Sequence, residues 1–313
     1  MATMKAVRMH SYGGPEVLVF EDAPRPEAGA GEVLVRVHAA GVNPIDWKVR
    51  AGYLKDWLKH KFPLIPGWDV SGVVEAVGAG VNNLKAGDEV FGLLDTSRDG
   101  AYAEYAAARA QDMARKPKYF DHIHAAALPV AALAAWQSLF DLAKLSAGQT
   151  VLIHGAAGGV GHYAVQFAKW KGSKVIGTAS SANAKFVKEL GADVVIDYKK
   201  SKFEDSVSGV DAVLDLIGGD TQERSWRVLK KGGVLVSSVG ISSPKKATEH
   251  GVRSEALLVH PDASQLVKIA ELIDVGRVKP VVTKVLPLSD AAKAHEMLQS
   301  GGVHGKIVLK VRE

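Results

Sequence analysis

There is no cysteine in these 313 residues, which excludes disulfides, thiolate nucleophiles and every zinc site built on thiolate ligands. No apolar run approaches the roughly 20 residues that a membrane helix needs, and the opening residues lack the basic, apolar, small-residue order of a secretory signal. The expectation is a cytoplasmic protein with no membrane partner. Nor is there a block of one charge: 39 Lys and Arg are interspersed with 34 Asp and Glu, leaving a formal net charge of +5. Without a basic arm or aromatics interleaved with cations, no nucleic-acid partner is expected. Repeats and low-complexity tracts are missing too. What remains, 47% hydrophobic and 23% charged residues, is the balance of a globular chain long enough for about two domains.

The punctuation of the chain changes near its middle. Short strands separated by glycine are predicted at 5–9, 17–21, 32–39, 70–77, 88–92 and 101–107, the spacing of a compact β-rich unit. The Ala-rich stretch 121–145 carries Ile123, Leu128, Leu133, Trp136, Leu139 and Phe140 at helical spacing and is read as joining helices. From Thr150 on, apolar runs at 150–154, 174–178, 194–196, 210–216 and 233–239 alternate with helical segments, which predicts a parallel sheet with right-handed crossovers. After a sixth strand at 255–259 the tail runs helix 262–275, strand 281–287, helix 289–300 and strand 306–311, the last able to return to the first domain. Residues 1–125 and 263–313 are assigned to one domain and 126–262 to the other.

The run Val151-Leu152-Ile153 leads into Gly155-Ala156-Ala157-Gly158-Gly159-Val160-Gly161, after which Ala164, Phe167 and Ala168 supply a helical face. In this strand-turn-helix setting, small residues let backbone N–H groups and the positive end of a helix approach a pyrophosphate. Ala157, Gly158, Gly159 and Val160 are the expected cradle, although a plain tight turn would use similar residues. Where an acid would grip the two ribose hydroxyls of NADH, the sequence has Thr178, Ser180 and Ser181 followed by Lys185. Hydroxyls and a cation accept a 2′-phosphate, so NADPH is the expected cofactor; Ser180 is equally suited to cap the next helix. Ile217, Gly218 and Val239 follow later apolar runs and are expected beside the nicotinamide, because ligands of such sheets lie at the carboxyl ends of strands.

Gly148-Gln149, Leu152, Ala156 to Gly161, Gln166 and Lys169 form a spaced pattern that resembles the signature of the quinone oxidoreductases, the zinc-independent, zeta-crystallin-like branch of the medium-chain dehydrogenase/reductase superfamily. The likeness extends to Ala39-Ala40-Gly41-Val42-Asn43-Pro44-Ile45-Asp46, Pro66-Gly67-Trp68-Asp69-Val70-Ser71-Gly72, Ala135-Trp136-Gln137-Ser138-Leu139 and Gly305-Lys306-Ile307-Val308. It implies an α/β fold: a Rossmann doubly wound parallel sheet plus a GroES-like β-rich catalytic domain, with the active cleft between them.

Zinc-using relatives carry Cys at the place of Val42 and Gly-His-Glu at the place of Gly67-Trp68-Asp69, so no metal is expected. The resemblance implies NADPH-dependent hydride transfer to a small-molecule quinone or α,β-unsaturated carbonyl. Such acceptors gather negative charge on an oxygen and ask for positioning and hydrogen-bond donors. By the same resemblance Asn43 lines the nicotinamide pocket, Lys48 lies near the ribose or the substrate oxygen, Tyr198 lies near the 2′-phosphate, Lys306 contacts the cofactor, and the protein is a homodimer. Tyr53 either covers the substrate or packs, and Lys48 could equally be solvated on a short surface helix. Two other functions stay open on sequence grounds: a trans-acting enoyl reductase, and a non-catalytic crystallin-like or RNA-binding protein.

Overall fold

The computed structural model describes residues 2–312 and separates into two units, one holding the residues through Val130, His260–Gly276 and those from Pro280 on, the other Ala131–Val259 and Arg277–Lys279. In the first unit β1 (Thr3–Met9) and β2 (Leu18–Pro24) pair antiparallel. Then come β3 (Glu32–Val42), α1 (Pro44–Arg50), β4 (Asp69–Val77), β5 (Glu89–Leu93), β6 (Tyr105–Arg109), β7 (Met113–Arg115) and α2 (His122–Ala126). β3 is the hub: it pairs antiparallel with both β4 and β6, and its Val33, Val35, Val37, Ala39 and Ala40 are fully buried. A strand with neighbours on both sides and cover on both faces reads as a nearly unbroken apolar run rather than an alternation.

α3 (Pro129–Trp136) spans the boundary and passes into a π-helical stretch, Gln137–Leu142. The second unit alternates β8 (Thr150–Ile153), α4 (Gly161–Trp170), β9 (Lys174–Ala179), α5 (Ser181–Glu189), β10 (Val194–Asp197), β11 (Val210–Asp215), α6 (Gly219–Ser225), β12 (Leu229–Ser237), α7 (Pro244–Glu249) and β13 (Arg253–Ala256). All five pairings are parallel, in the order β10-β9-β8-β11-β12-β13. Sequence order therefore reverses between β8 and β11, which opens a crevice at their carboxyl ends. Leu152, Val213, Leu235, Phe203 and Trp226 form the core of one face.

Polar members of the signature pattern hold this unit together. The Gln166 side chain pairs with the Lys279 backbone twice, donating from Nε2 to the carbonyl at 3.1 Å and accepting the N–H on Oε1 at 2.8 Å. Lys169 binds the Asp193 carboxylate at 2.9 and 3.0 Å, and Asp193 accepts the Val175 N–H at the start of β9.

The tail comprises α8 (Ala263–Asp274), β14 (Val282–Pro287), α9 (Ala291–Ser300) and β15 (Lys306–Lys310). α8 begins where the Asp262 carboxylate accepts the Gln265 N–H, and it buries Leu266, Ile269, Ala270 and Ile273, one helical stripe. β15 pairs parallel with β14 and antiparallel with β3, completing the order β14-β15-β3-β4-β5-β7.

Three predicted strands shift, one of them 255–259, which is found at Arg253–Ala256. Residues 101–104 precede β6 as a loop: Ala101 and Tyr102 are buried as their pattern suggests, but their N–H groups go to the Gly67 and Pro66 carbonyls. Val17 closes a 3-10 turn, Pro15–Val17, instead of opening β2. Leu235 is fully buried on a central strand, so Leu235→Ala should lower unfolding stability by roughly 2–5 kcal/mol. A denaturation midpoint indistinguishable from wild type would contradict this packing.

Candidate active site

In the second unit the chain leaves β8 through His154 and turns at Gly155, whose φ is +68°. A Cβ on Gly161 would stand 2.2 Å from the Gly155 carbonyl oxygen, so α4 packs onto the loop too closely for any other residue. Gly158 has only that same oxygen within reach of a Cβ, at 3.3 Å. This concave backbone at the start of a ten-residue helix fits a dinucleotide pyrophosphate, with Ala157 to Val160 as its wall.

Beside the loop lie Ile217 and Val239, exposed at 56% and 45% although apolar. A Cβ on Gly155 would sit 3.2 Å from Ile217 Cδ1, and one on Gly218 2.8 Å from Val239 Cγ2, so these four residues form one continuous apolar platform. Asp215 builds it. Its buried carboxylate accepts the Ile217 and Gly218 N–H groups on Oδ1 (3.0 and 2.8 Å), and Gln222 Nε2 and the Ser237 hydroxyl on Oδ2 (2.8 and 2.9 Å). Gln222 also donates to the Gly240 carbonyl at 2.8 Å, tying the loop after β11 to the loop after β12. Sequence reading missed Asp215, Gln222 and Ser237; the available signal was an acid ending an apolar run, with a serine ending the next.

At the other end of the loop, the predicted phosphate ligands separate. Thr178 is buried, and its hydroxyl lies 3.2 Å from His154 Nδ1 while accepting the Gly155 N–H at 3.4 Å. The Ser225 hydroxyl donates to the Thr221 carbonyl, so it accepts from His154 Nε2 at 3.0 Å, leaving Nδ1 to accept the Thr178 proton. Burial pushes His154 down to about 4, keeping the ring neutral. Thr178 thus braces the loop rather than presenting a hydroxyl to a ligand. Ser180 occupies the N-cap of α5 but makes no side-chain capping bond, so its hydroxyl is uncommitted there. Ser181 is exposed and donates to Asp197 Oδ2. Lys185 is 89% exposed, 3.8 Å from Glu189, and Tyr198 is 58% exposed.

In the first unit, Asn43 and Lys306 belong to a buried polar cluster. Lys306 Nζ meets the Val42 carbonyl at 3.1 Å, Asn43 Oδ1, and Asp69 Oδ2 at 3.5 Å; all three ammonium protons are used internally. Lys306, expected at the cofactor, has its ammonium inside this cluster beside Asp69. Asn43 is likewise consumed, donating from Nδ2 to Asp69 (2.8 Å) and from its backbone to Asp46 (2.7 Å), which starts α1. It shapes the loop from a buried position. Where zinc-using relatives place ligands, Val42 is apolar and buried, Trp68 spends its N–H on the Arg98 carbonyl (3.0 Å), and Asp69 accepts from Val130 N–H (2.7 Å), Asn43 and Lys306.

Lys48 and Tyr53 are placed differently. The Lys48 ammonium makes no ion pair among the described residues and stands 6.0 Å from the Trp47 ring. Tyr53, 71% exposed, meets the same ring edge-on at 5.8 Å. A cation and two aromatics thus lie together, and Trp57, further along the chain, is 81% exposed.

Asp46 is the second carboxyl of the cluster. Oδ2 accepts from Asn43 N–H and the Tyr102 hydroxyl (2.9 Å), while buried Oδ1 has no partner. Burial pushes its pKa up to about 7. The folded state then holds this proton more tightly than the unfolded chain, so stability should fall as pH rises from about 4 to about 7, and level off above. Asp46→Asn, which resembles the protonated form, should gain on wild type across that window by roughly 2–4 kcal/mol. Parallel stability–pH curves for the two proteins would contradict the assignment.

The chain resembles known proteins along nearly its whole length. Residues 190–309 match the zinc-binding dehydrogenase family, and residues 29–118 match the alcohol dehydrogenase GroES-like domain. The chain is 36% identical to the chloroplast envelope quinone oxidoreductase homolog of Arabidopsis thaliana, with 98% of each chain covered. It is 38% identical to the chloroplastic NADPH-dependent alkenal/one oxidoreductase of the same plant, covering 98% of this chain and 79% of that one. Among solved structures, the quinone oxidoreductase from Coxiella burnetii superposes with a TM-score of 0.92 at 38% identity, covering 99% of this chain and 100% of that one. The two-part α/β fold, the glycine loop and these full-length likenesses together establish that the chain belongs to the quinone oxidoreductase family of the medium-chain dehydrogenase/reductase superfamily and is an oxidoreductase that uses a nicotinamide nucleotide.

Proposed function

We propose that the protein reduces quinones or α,β-unsaturated carbonyls with NADPH and without a catalytic metal. The observation that carries the reading is the apolar platform of Ile217, Gly218 and Val239 beside the glycine loop at the reversal of strand order. A flat ring seated there has one face covered by side chains that otherwise lie in water, at a cost the burial repays.

NADPH, when bound, supplies the hydride. The backbone of residues 157–160 holds its pyrophosphate, Ile217 and Val239 orient its ring, and Ser180, Lys185 and Tyr198 receive its 2′-phosphate. Thr178 and Asp215 position these groups without touching the ligand. For the acceptor we assign Lys48 as the cation that answers a developing oxyanion and Tyr53 as its aromatic neighbour. Metal independence is supported by the donor chemistry at Val42, Trp68 and Asp69: one has no donor, one only an N–H, and the third has both oxygens engaged by hydrogen bonds. The setting, a cytosolic homodimer acting on a diffusible small molecule, belongs to the same proposal. Among the described residues no helix is long and apolar enough to cross a membrane.

NADPH and NADH oxidation against a panel of quinones and enones tests the reading. Ser180→Asp should cut kcat/KM for NADPH by about tenfold or more while sparing NADH, since a carboxylate repels a phosphate and attracts a ribose diol. Equal losses with both would remove the 2′-phosphate from this place. Lys48→Met should lower kcat by roughly ten- to a hundredfold at unchanged coenzyme affinity. Undiminished turnover across the panel would take Lys48 out of the reaction.

A further inference from the structure

Asp197, which ends β10, is absorbed neither by the hydride-transfer reading nor by any packing need. β10 runs parallel to β9 with Asp197 opposite Ala179, and the Tyr198 N–H reaches the Ala179 carbonyl at 3.3 Å. That pairing delivers a carboxylate to the turn formed by Ser180 and Ser181, where the 2′-phosphate is proposed to sit. There Asp197 Oδ2 accepts the Ser181 hydroxyl, Oδ1 accepts the Lys199 N–H at 3.0 Å, and Lys200 Nζ stands 3.9 Å from Oδ2. The Ser181 bond, then the Lys199 N–H, holds the carboxyl below its ordinary range, so it is ionised at neutral pH.

A serine hydroxyl has one proton to give, and a carboxylate and a phosphate are both acceptors only. Asp197 therefore competes with a 2′-phosphate for Ser181 and for Lys200, and adds a like charge beside it. A ribose 2′-hydroxyl faces no such competition. It can donate to Asp197 or to the lone pairs that Ser181 retains, and it carries no charge to be repelled. Resting on the proposed coenzyme site, we infer that Asp197 is a specificity-determining residue that restrains the NADPH preference set by Ser180 and Lys185, so that the enzyme also accepts NADH.

The test is equilibrium binding of NADPH and NADH, each followed by nucleotide fluorescence, to the full-length wild type, Asp197→Asn and Asp197→Ala. Removing the charge should raise the ratio of NADPH to NADH affinity by about tenfold at low ionic strength, and the gain should shrink as salt is added. Asp197→Ala also frees the Ser181 proton, so Ser181→Ala should cost more NADPH affinity in that background than in wild type, a coupling that a merely structural Asp197 would not show. An unchanged affinity ratio in both Asp197 variants, or a Ser181→Ala loss of the same size with and without Asp197, overturns the inference. A wild type that binds NADH far better than NADPH would instead sink the coenzyme reading, while the shift on removing Asp197 would still report on this residue.

Discussion

The apolar platform beside the glycine loop depends on one buried carboxylate. Asp215 ends β11 at the point where strand order reverses, and its two oxygens collect two backbone N–H groups from its own loop, the Gln222 amide, and the hydroxyl of Ser237 on the neighbouring strand. Two loops are thereby tied together, and Ile217 and Val239 are left about half exposed although apolar. Taking a charge out of water costs several kcal/mol unless hydrogen bonds replace the lost hydration. Here the four donors that replace it are also the groups whose positions define the platform, so the burial penalty and the site geometry are settled by the same bonds.

The first unit solves a similar problem with the same means. Asp69 is fully buried and accepts from the Val130 N–H, the Asn43 amide and the Lys306 ammonium. Asp46 beside it holds the start of α1 and the Tyr102 hydroxyl, and Tyr102 in turn lies 3.3 Å from His295 on α9. Burial pushes His295 down to about 3 and pushes the Tyr102 hydroxyl up, so both are neutral members of the chain. Lys48 within α1 and Tyr53 three residues past its end belong to the same segment.

What could be read in advance from residues 1–313 divides along a physical line. Apolar runs of four to eight residues with glycine between them announce strands, and Gly155 to Gly161 announces the loop, because backbone conformation and close approach depend on the local residues themselves. Partners brought in by strand register are not local. Lys306 reaches Val42 and Asn43 only because β15 pairs with β3 in the register Ile307 opposite Val42. Ser181 donates its hydrogen bond to Asp197 because β10 lies beside β9, and Tyr102 meets His295 across 193 positions of chain. The side chains singled out by type were in several cases the right chemistry committed elsewhere: Thr178 to His154, Lys306 to Asp69, Asn43 to both aspartates. A hydroxyl or ammonium in a sequence signals capacity to donate, and the fold decides to whom.

The central claim is that hydride passes from a reduced nicotinamide on this platform to an electrophilic acceptor with no metal taking part. Its most direct test is single-turnover oxidation of NADPH deuterated at the transferring C4 position, mixed with a quinone and with protein exhaustively treated with chelator. A full-amplitude reaction with a primary isotope effect, unaltered by adding zinc back, is the expected result. Loss of turnover on chelation that stoichiometric zinc restores would contradict the account.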